Sequence, residues 1–190
     1  MNDPSKIIFY LFGLSAARAI MDKLPDPRWR DALDHSRYLR NLLAARPTLI
    51  DELAGTWTLP LSAEQLQSAL TPLAAEDDAL KAQLRRLRHR AMAHIALRDL
   101  CGLAPLAEVV ESMTLLADVT TNFALDYYHR QLATTYGEPL DKSGSPQRLL
   151  IIGMGKLGGR ELNVSSDVDY IFVYPEDGDT AGPKSIENYD

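Results

Sequence analysis

The residues best suited to chemistry lie between Gly153 and Asp169, in the run GMGKLGGRELNVSSDVD. Gly153, Gly155, Gly158 and Gly159 surround Lys156, and Asp167 and Asp169 follow with one residue between them. Alternate residues of a strand share a face, so Asp-x-Asp at the opening of a strand sets two carboxylates side by side. Such a pair repels unless a cation sits between its members, and hard oxygen ligands beside a polyphosphate suit Mg²⁺. A glycine turn lets backbone N–H groups approach phosphate oxygens, and a helix N-terminus adds a favourable dipole. A metal clamp of this kind stabilises the attacking and leaving oxygens of an in-line displacement. Taken alone, Asp-x-Asp is also the pattern of a solvated strand end.

Two other readings use the same glycines. Gly153, Gly155 and Gly158 match the G-x-G-x-x-G of a dinucleotide fold, with Glu176 near the place of a ribose-binding acid. That fold needs a full helix after the third glycine and further strand–helix units. Here the chain is polar by Asn163, reaches Asp167 after about two helical turns, and has 14 residues after Glu176. Gly155-Lys156 hints at a P-loop, but Leu157 occupies the place of the required Ser or Thr. The third reading is a nucleotidyltransferase site: strand, glycine turn, short helix, then a strand opening with Asp167-x-Asp169.

The elements that must position this segment fall into an α+β, predominantly α-helical pattern. Residues 1–30 are an N-terminal segment whose apolar run, Ile7 to Leu14, is far shorter than the ~20 residues a bilayer span needs. The run is expected to be a short helix or strand docked on the rest, with a faint likeness to a secretory signal. Residues 31–137 read as helical. Ser36 can cap a helix that ends before Pro47, with Leu39, Leu42 and Leu43 on one face. Ser62 and Gln65 have capping-box spacing, and Pro72 limits that helix. Leu80, Leu84, Leu87, Ala91 and Ile95 follow a 3.6-residue period up to Gly102. Pro105 suits the first turn of a further helix, whose apolar stripe runs from Leu106 to Tyr127 and which Gly137 and Pro139 end. Residues 138–147 read as a linker. From 148 to 190, a buried strand at Leu149–Ile152 and a second strand over Val168–Tyr174 are expected, followed by a polar, turn-rich tail.

Composition narrows the function. A net charge of −6 lacks the basic footprint that general nucleic-acid binding needs. With 46% apolar and 24% charged residues, the bulk of the chain is an ordinary globular sequence, neither disordered nor membrane-spanning. The single cysteine, Cys101, cannot form an internal disulfide and fits a reducing compartment, so a cytoplasmic location is expected.

The string from Gly153 to Asn163, continued by Ser165-Ser166-Asp167-Val168-Asp169-Tyr170-Ile171-Phe172-Val173-Tyr174-Pro175-Glu176-Asp177-Gly178, resembles the signature of the glutamine synthetase adenylyltransferase family. These are the bifunctional adenylylating and deadenylylating enzymes of bacterial nitrogen control. Arg88-His89-Arg90 through Ile95, and Arg98-Asp99-Leu100 with Gly102-Leu103, are similar to the helices that precede the signature. The resemblance covers roughly residues 36–190. It implies a helical region followed by the first strands of a DNA polymerase β-like nucleotidyltransferase domain, incomplete at the C-terminus. It also implies that Asp167 and Asp169 are the catalytic, Mg²⁺-binding pair. Gly155, twelve positions before Asp167, matches the phosphate-turn glycine. Lys156, Gly158, Gly159 and Ser166 would then support phosphate or nucleotide binding. The family carries two such domains, one transferring AMP from ATP to a tyrosine of glutamine synthetase and one removing it with phosphate to release ADP. The position of this copy implies the removing role, with glutamine synthetase and a PII-type signal protein as partners. A non-catalytic helical module binding either partner is the alternative.

Such folds need a third acid and more strands. Glu187 and Asp190 are poor substitutes, Glu161 is read as a helix-face residue, and the 190-residue chain alone is expected to be inactive. An uncovered edge strand would favour aggregation. Lys156 and Arg160 are candidates to reach phosphate, with surface charge around a turn as the plain alternative. Arg85, Arg86, Arg88 and Arg90 read as a solvated helix face. His89 and His94 are five apart, wrong for a helical metal pair, and His35 and His129 have no evident partner. Cys101 is expected to be packed, and Trp29, Trp57, Tyr127 and Tyr128 to be core or contact aromatics.

Overall fold

The computed structural model describes residues 23–70 and 76–188. The apolar run at Ile7–Leu14, Pro72 and Asp190 lie outside the described residues. Seven helices and two strands are present among them: α1 (Arg28–His35), α2 (Arg37–Ala45), α3 (Thr48–Ala54), α4 (Ala63–Ser68), α5 (Asp77–Leu100), α6 (Leu106–Tyr136), β1 (Leu150–Gly153), α7 (Gly155–Gly158) and β2 (Tyr170–Val173). The fold is α+β and mostly helical.

Local chemistry sets several helix ends. The Ser36 hydroxyl accepts from the Leu39 N–H at 3.1 Å and starts α2. Ser62 and Gln65 form a reciprocal capping box at α4. Gly102 at φ +69° lets the chain reverse after α5. Pro105 stands just before the first residue of α6, in extended conformation, rather than inside the first turn. Helix α3 carries no capping side chain, and its first residues lean on the carbonyls of Arg46 and Pro47.

Helix α5 organises the interior because it is buried on two faces. Ala93 and Leu97 face a first core built from α1, α2 and α3, with Trp29, Leu33, Leu39, Leu43, Ile50 and Leu53. Leu87, Ala91, Met92 and Ile95 face a second core with Leu66 of α4 and Val109, Met113, Leu116 and Val119 of α6. The single apolar stripe expected along α5 is therefore one of two. At its end, Arg98 is 4% exposed and holds Glu108 of α6 through two bonds of 2.6 and 3.0 Å. The same guanidinium donates to the carbonyls of Trp57 and Leu103. A buried charge of this kind is stable only when fully partnered. Leu106, expected at the head of the α6 stripe, is instead exposed. It precedes the turn that Glu108 commits to Arg98.

The two strands pair antiparallel, Leu150 opposite Val173 and Gly153 opposite Tyr170. Both begin and end later or earlier than expected: β1 starts at Leu150 and reaches Gly153, and β2 covers only Tyr170–Val173. The first strand is not buried, since Leu150 and Ile152 are about half exposed. In the two-stranded sheet Tyr170 reaches Thr121 of α6, while Leu150, Ile152 and Ile171 on the opposite face are each about half exposed. The segment 138–147 is folded rather than a free linker. Pro139 bridges Thr180, Leu140 bridges Pro146, and Asp141 collects the Ser143 and Ser145 N–H groups. Gln147 exchanges two bonds with the Glu176 backbone.

Candidate functional site

The glycine-rich segment is a tight turn locked onto α6. Gly155 has φ +55°, a conformation glycine adopts freely. A Cβ at Gly158 would stand 2.4 Å from the Gly153 carbonyl oxygen, so only glycine allows this approach. Helix α7 is a single turn. It closes with two bonds, the Glu161 N–H to the Lys156 carbonyl at 2.7 Å and the Arg160 N–H to the Leu157 carbonyl at 3.1 Å. Glu161 thus follows the helix and lies exposed in an irregular stretch, not on a helix face. The dipole expected of a longer helix is correspondingly small.

Leu157 and Leu162 are the anchors. Both are buried in the second core among Met113, Leu116 and Val119. The Leu162 N–H donates to the Thr114 hydroxyl at 3.4 Å, and the Tyr170 and Thr121 hydroxyls are 2.6 Å apart. Arg160 reaches back to α6, where Glu111 receives two of its N–H groups and Asp118 a third at 3.3 Å. Glu111 is held below, and Arg160 above, its ordinary pKa by that hydrogen bonding. Arg160 is consequently engaged by carboxylates. Lys156, by contrast, is exposed and makes no ion pair among the described residues.

Asp167 and Asp169 do not lie on a strand. The opposing chain has already turned at Met154–Gly155, so no residues remain to pair with Asp167 and Val168. Asp169 is tied in by its backbone alone, its carbonyl accepting from the Met154 N–H at 2.9 Å. This bond sets Asp169 beside the residue that precedes Gly155. Both carboxylates are exposed, and neither has a side-chain partner among the described residues. Just upstream, the Asn163 Oδ1 accepts from the Ser165 N–H (3.1 Å), the Ser165 hydroxyl (3.3 Å) and the Ser166 hydroxyl (2.8 Å). The Ser166 proton is thus committed to the turn that presents Asp167. Asn163, Thr114, Tyr170 and Glu111 all position the site. Only Asn163, two residues before a Ser-Ser pair, carried a turn signal that could have found it.

Asp167 and Ser166 line a groove of ≈ 900 Å³, which Arg85 and Arg88 of α5 also line together with Met113 and Tyr128. Two exposed, unneutralised carboxylates beside a backbone turn suit a divalent cation, as two of its oxygen ligands. No group of three or more His, Cys, Asp or Glu side chains that could hold a metal occurs among the described residues, so Glu161 and Glu187 do not complete the set. Three histidines have partners of their own within the fold. His94 is buried with Nε2 2.9 Å from the Leu59 carbonyl, His35 meets the Asp31 carbonyl, and His129 meets Glu138. Cys101 is partly buried near the Arg28 carbonyl, and burial raises its pKa.

The antiparallel pairing decides between the readings of the glycines. A dinucleotide unit joins parallel strands through a full helix, whereas here one turn of helix links an antiparallel pair. The site is a strand–glycine turn–strand hairpin with two free carboxylates at its mouth, packed against a helical region. The chain belongs to the glutamate-ammonia ligase adenylyltransferase family, whose model matches residues 28–190. It is 48% identical over 171 residues to a bifunctional glutamine synthetase adenylyltransferase/adenylyl-removing enzyme of Aromatoleum aromaticum, covering 90% of this chain and 18% of the relative. A Nitrosomonas europaea protein of the same description is 48% identical over 164 residues, covering 83% and 18%. One from Burkholderia mallei is 46% identical over 157 residues, covering 80% and 17%. The chain therefore spans under a fifth of the length of these relatives. No helix among the described residues is long and apolar enough to cross a membrane.

Proposed function

We propose that this chain supplies the helical region and opening hairpin of a metal-dependent nucleotidyltransferase site acting on a tyrosine of glutamine synthetase. The direction proposed is removal of AMP. The observation that carries the reading is the Met154–Asp169 backbone bond, which sets Asp169 beside the Gly155 turn, together with the Asp167 and Asp169 carboxylates being exposed and unpartnered among the described residues. The names of the relatives support the same substrate.

Asp167 and Asp169 would hold Mg²⁺, which when bound supplies charge neutralisation at the phosphoryl oxygens. Gly155 and Gly158 bring the backbone close to a phosphate, and Lys156 adds a free positive charge beside it. The Gly155 and Lys156 N–H groups have no backbone acceptor among the described residues. In the removing direction, a phosphate oxygen attacks the phosphorus of the AMP–tyrosine ester. The phosphorus–phenolate bond breaks, giving ADP and free tyrosine. A cytoplasmic setting, a PII-type regulatory partner and ATP as the AMP donor of the opposite reaction belong to the same proposal. A third carboxylate is needed besides the pair seen here, so the isolated chain is proposed to be inactive.

The test is a chimera in which this chain replaces the matching stretch of the Aromatoleum aromaticum relative. Phosphate-dependent AMP release from adenylylated glutamine synthetase should persist, and Asp169→Asn should abolish it while AMP transfer from ATP continues. Loss of transfer with retention of release would reverse the assigned direction. Retention of both activities would remove the aspartates from the chemistry.

A further inference from the structure

Arg160 sits where its backbone favours another residue. The two closing bonds of α7 place it at the position after the helix that glycine usually fills, and its φ is +58°. A left-handed conformation is costly for a residue with a Cβ. Glycine is abundant next door at Gly158 and Gly159, so the side chain at 160 has a use that outweighs the backbone cost. The structure shows where that side chain goes. All three of its resolved hydrogen bonds end on α6, two on Glu111 and one on Asp118, 49 and 42 residues away. Planar, two-pronged contact with a carboxylate is the arrangement arginine makes and lysine does not.

We infer that Arg160 is a positioning residue of the candidate site, clamping the Gly155–Gly159 turn to α6 through Glu111 and Asp118, and is not itself a phosphate ligand. The clamp lies on the exposed side of the turn, while Leu157 and Leu162 hold its buried side. Together they fix the turn from both sides. This inference rests on the proposed nucleotidyl chemistry for its functional consequence but not for the clamp itself.

Arg160→Gly separates the two roles of the residue. Glycine suits the backbone better, so a residue needed only for its conformation would be improved by the change. Hydrogen exchange of the amides from Lys156 to Leu162 is measured in the 190-residue chain. The clamp predicts about fivefold faster exchange in Arg160→Gly, the same in Glu111→Ala, and no further increase in the double variant. High salt should bring the parent to the level of the variants and leave the variants unchanged. Unchanged or slower exchange in Arg160→Gly, or additive effects, would overturn the clamp. In the chimera, both single variants should lower kcat for AMP release with KM for phosphate unchanged. A raised KM for phosphate in Arg160→Gly, with Glu111→Ala silent, would make Arg160 a phosphate ligand and overturn the inference. If the parent chimera releases no AMP, the proposed function fails while the exchange data still decide the clamp.

Discussion

The helical half and the strand-bearing half of this molecule handle apolar residues in opposite ways. In the first core, Trp29, Leu39, Leu43 and Leu53 are fully buried, and Trp29 packs edge-on against Trp57 at 5.6 Å. In the hairpin, Leu150, Ile152, Ile171 and Phe172 are 46–61% exposed. Leu150 and Ile152 share one face with Ile171 and Val173, while Ile151, Tyr170 and Phe172 share the other. A hairpin resting on helices needs apolar residues on one face only, and this one has them on both, the pattern of strands covered on two sides. The helices thus furnish a core of their own. Contacts that hold the hairpin to them include Leu157, Leu162 with its Thr114 bond, the Tyr170–Thr121 bond, Arg160 and the Arg148–Asp126 ion pair. Most of the buried apolar packing and the proposed chemistry accordingly lie in different parts of the chain, and substitutions should separate them.

The largest stability effect belongs in the helical half. Arg98→Ala leaves Glu108 and two carbonyls without their donor, and should cost about 3 kcal/mol in urea unfolding. A loss under about 1 kcal/mol would mean that solvent replaces the guanidinium easily and that the two halves differ little in how they are held. Next comes Gly158→Ala, whose Cβ would collide with the Gly153 carbonyl. It should cost about 1–3 kcal/mol and loosen the turn, with hydrogen exchange accelerated from Gly155 to Leu162 and unaffected in α1–α3.

A smaller effect should follow pH. The Leu59 carbonyl can only accept, so Nε2 of His94 carries the proton, and burial holds the ring below its ordinary pKa of 6.5. The unfolded chain therefore binds a proton that the folded chain resists. Stability is full above about pH 6.5 and falls as pH drops through that value toward the folded pKa. His89, lowered chiefly by burial, acts in the same sense. The drop in Tm between about pH 7 and 5.5 should shrink in His94→Gln. An unchanged drop would assign the acid sensitivity elsewhere. The smallest stability change is expected from Phe172→Lys on the exposed hairpin, within about 0.5 kcal/mol, together with reduced self-association in sedimentation.

What could be read from the sequence was local. Ser36, the Ser62–Gln65 box, Gly102 and Gly137 act within a few residues of themselves, and each ends or starts a helix as its chemistry demands. The glycine turn was legible for the same reason. Partners far apart in the chain were not. Arg160 stood as a phosphate candidate because nothing local revealed Glu111, and Arg98 carried no sign of Glu108 across the interhelical turn. The strand through Asp167 and Asp169 failed because ladder length depends on the opposite strand, which ends at the glycine turn. Helix α3 carries no capping side chain, so it left little local trace.

On the proposed function, Asp167 and Asp169, both exposed and unpartnered among the described residues, together hold a divalent cation. Mn²⁺ binding to the 190-residue chain, followed by its electron paramagnetic resonance signal, tests this most directly. Binding in the parent is expected to be weak but saturable, weakened in Asp167→Asn and in Asp169→Asn and lost in the double variant. Helix content and Tm should stay unchanged throughout. Binding that is absent from the parent, or equal in the parent and the double variant, would contradict it.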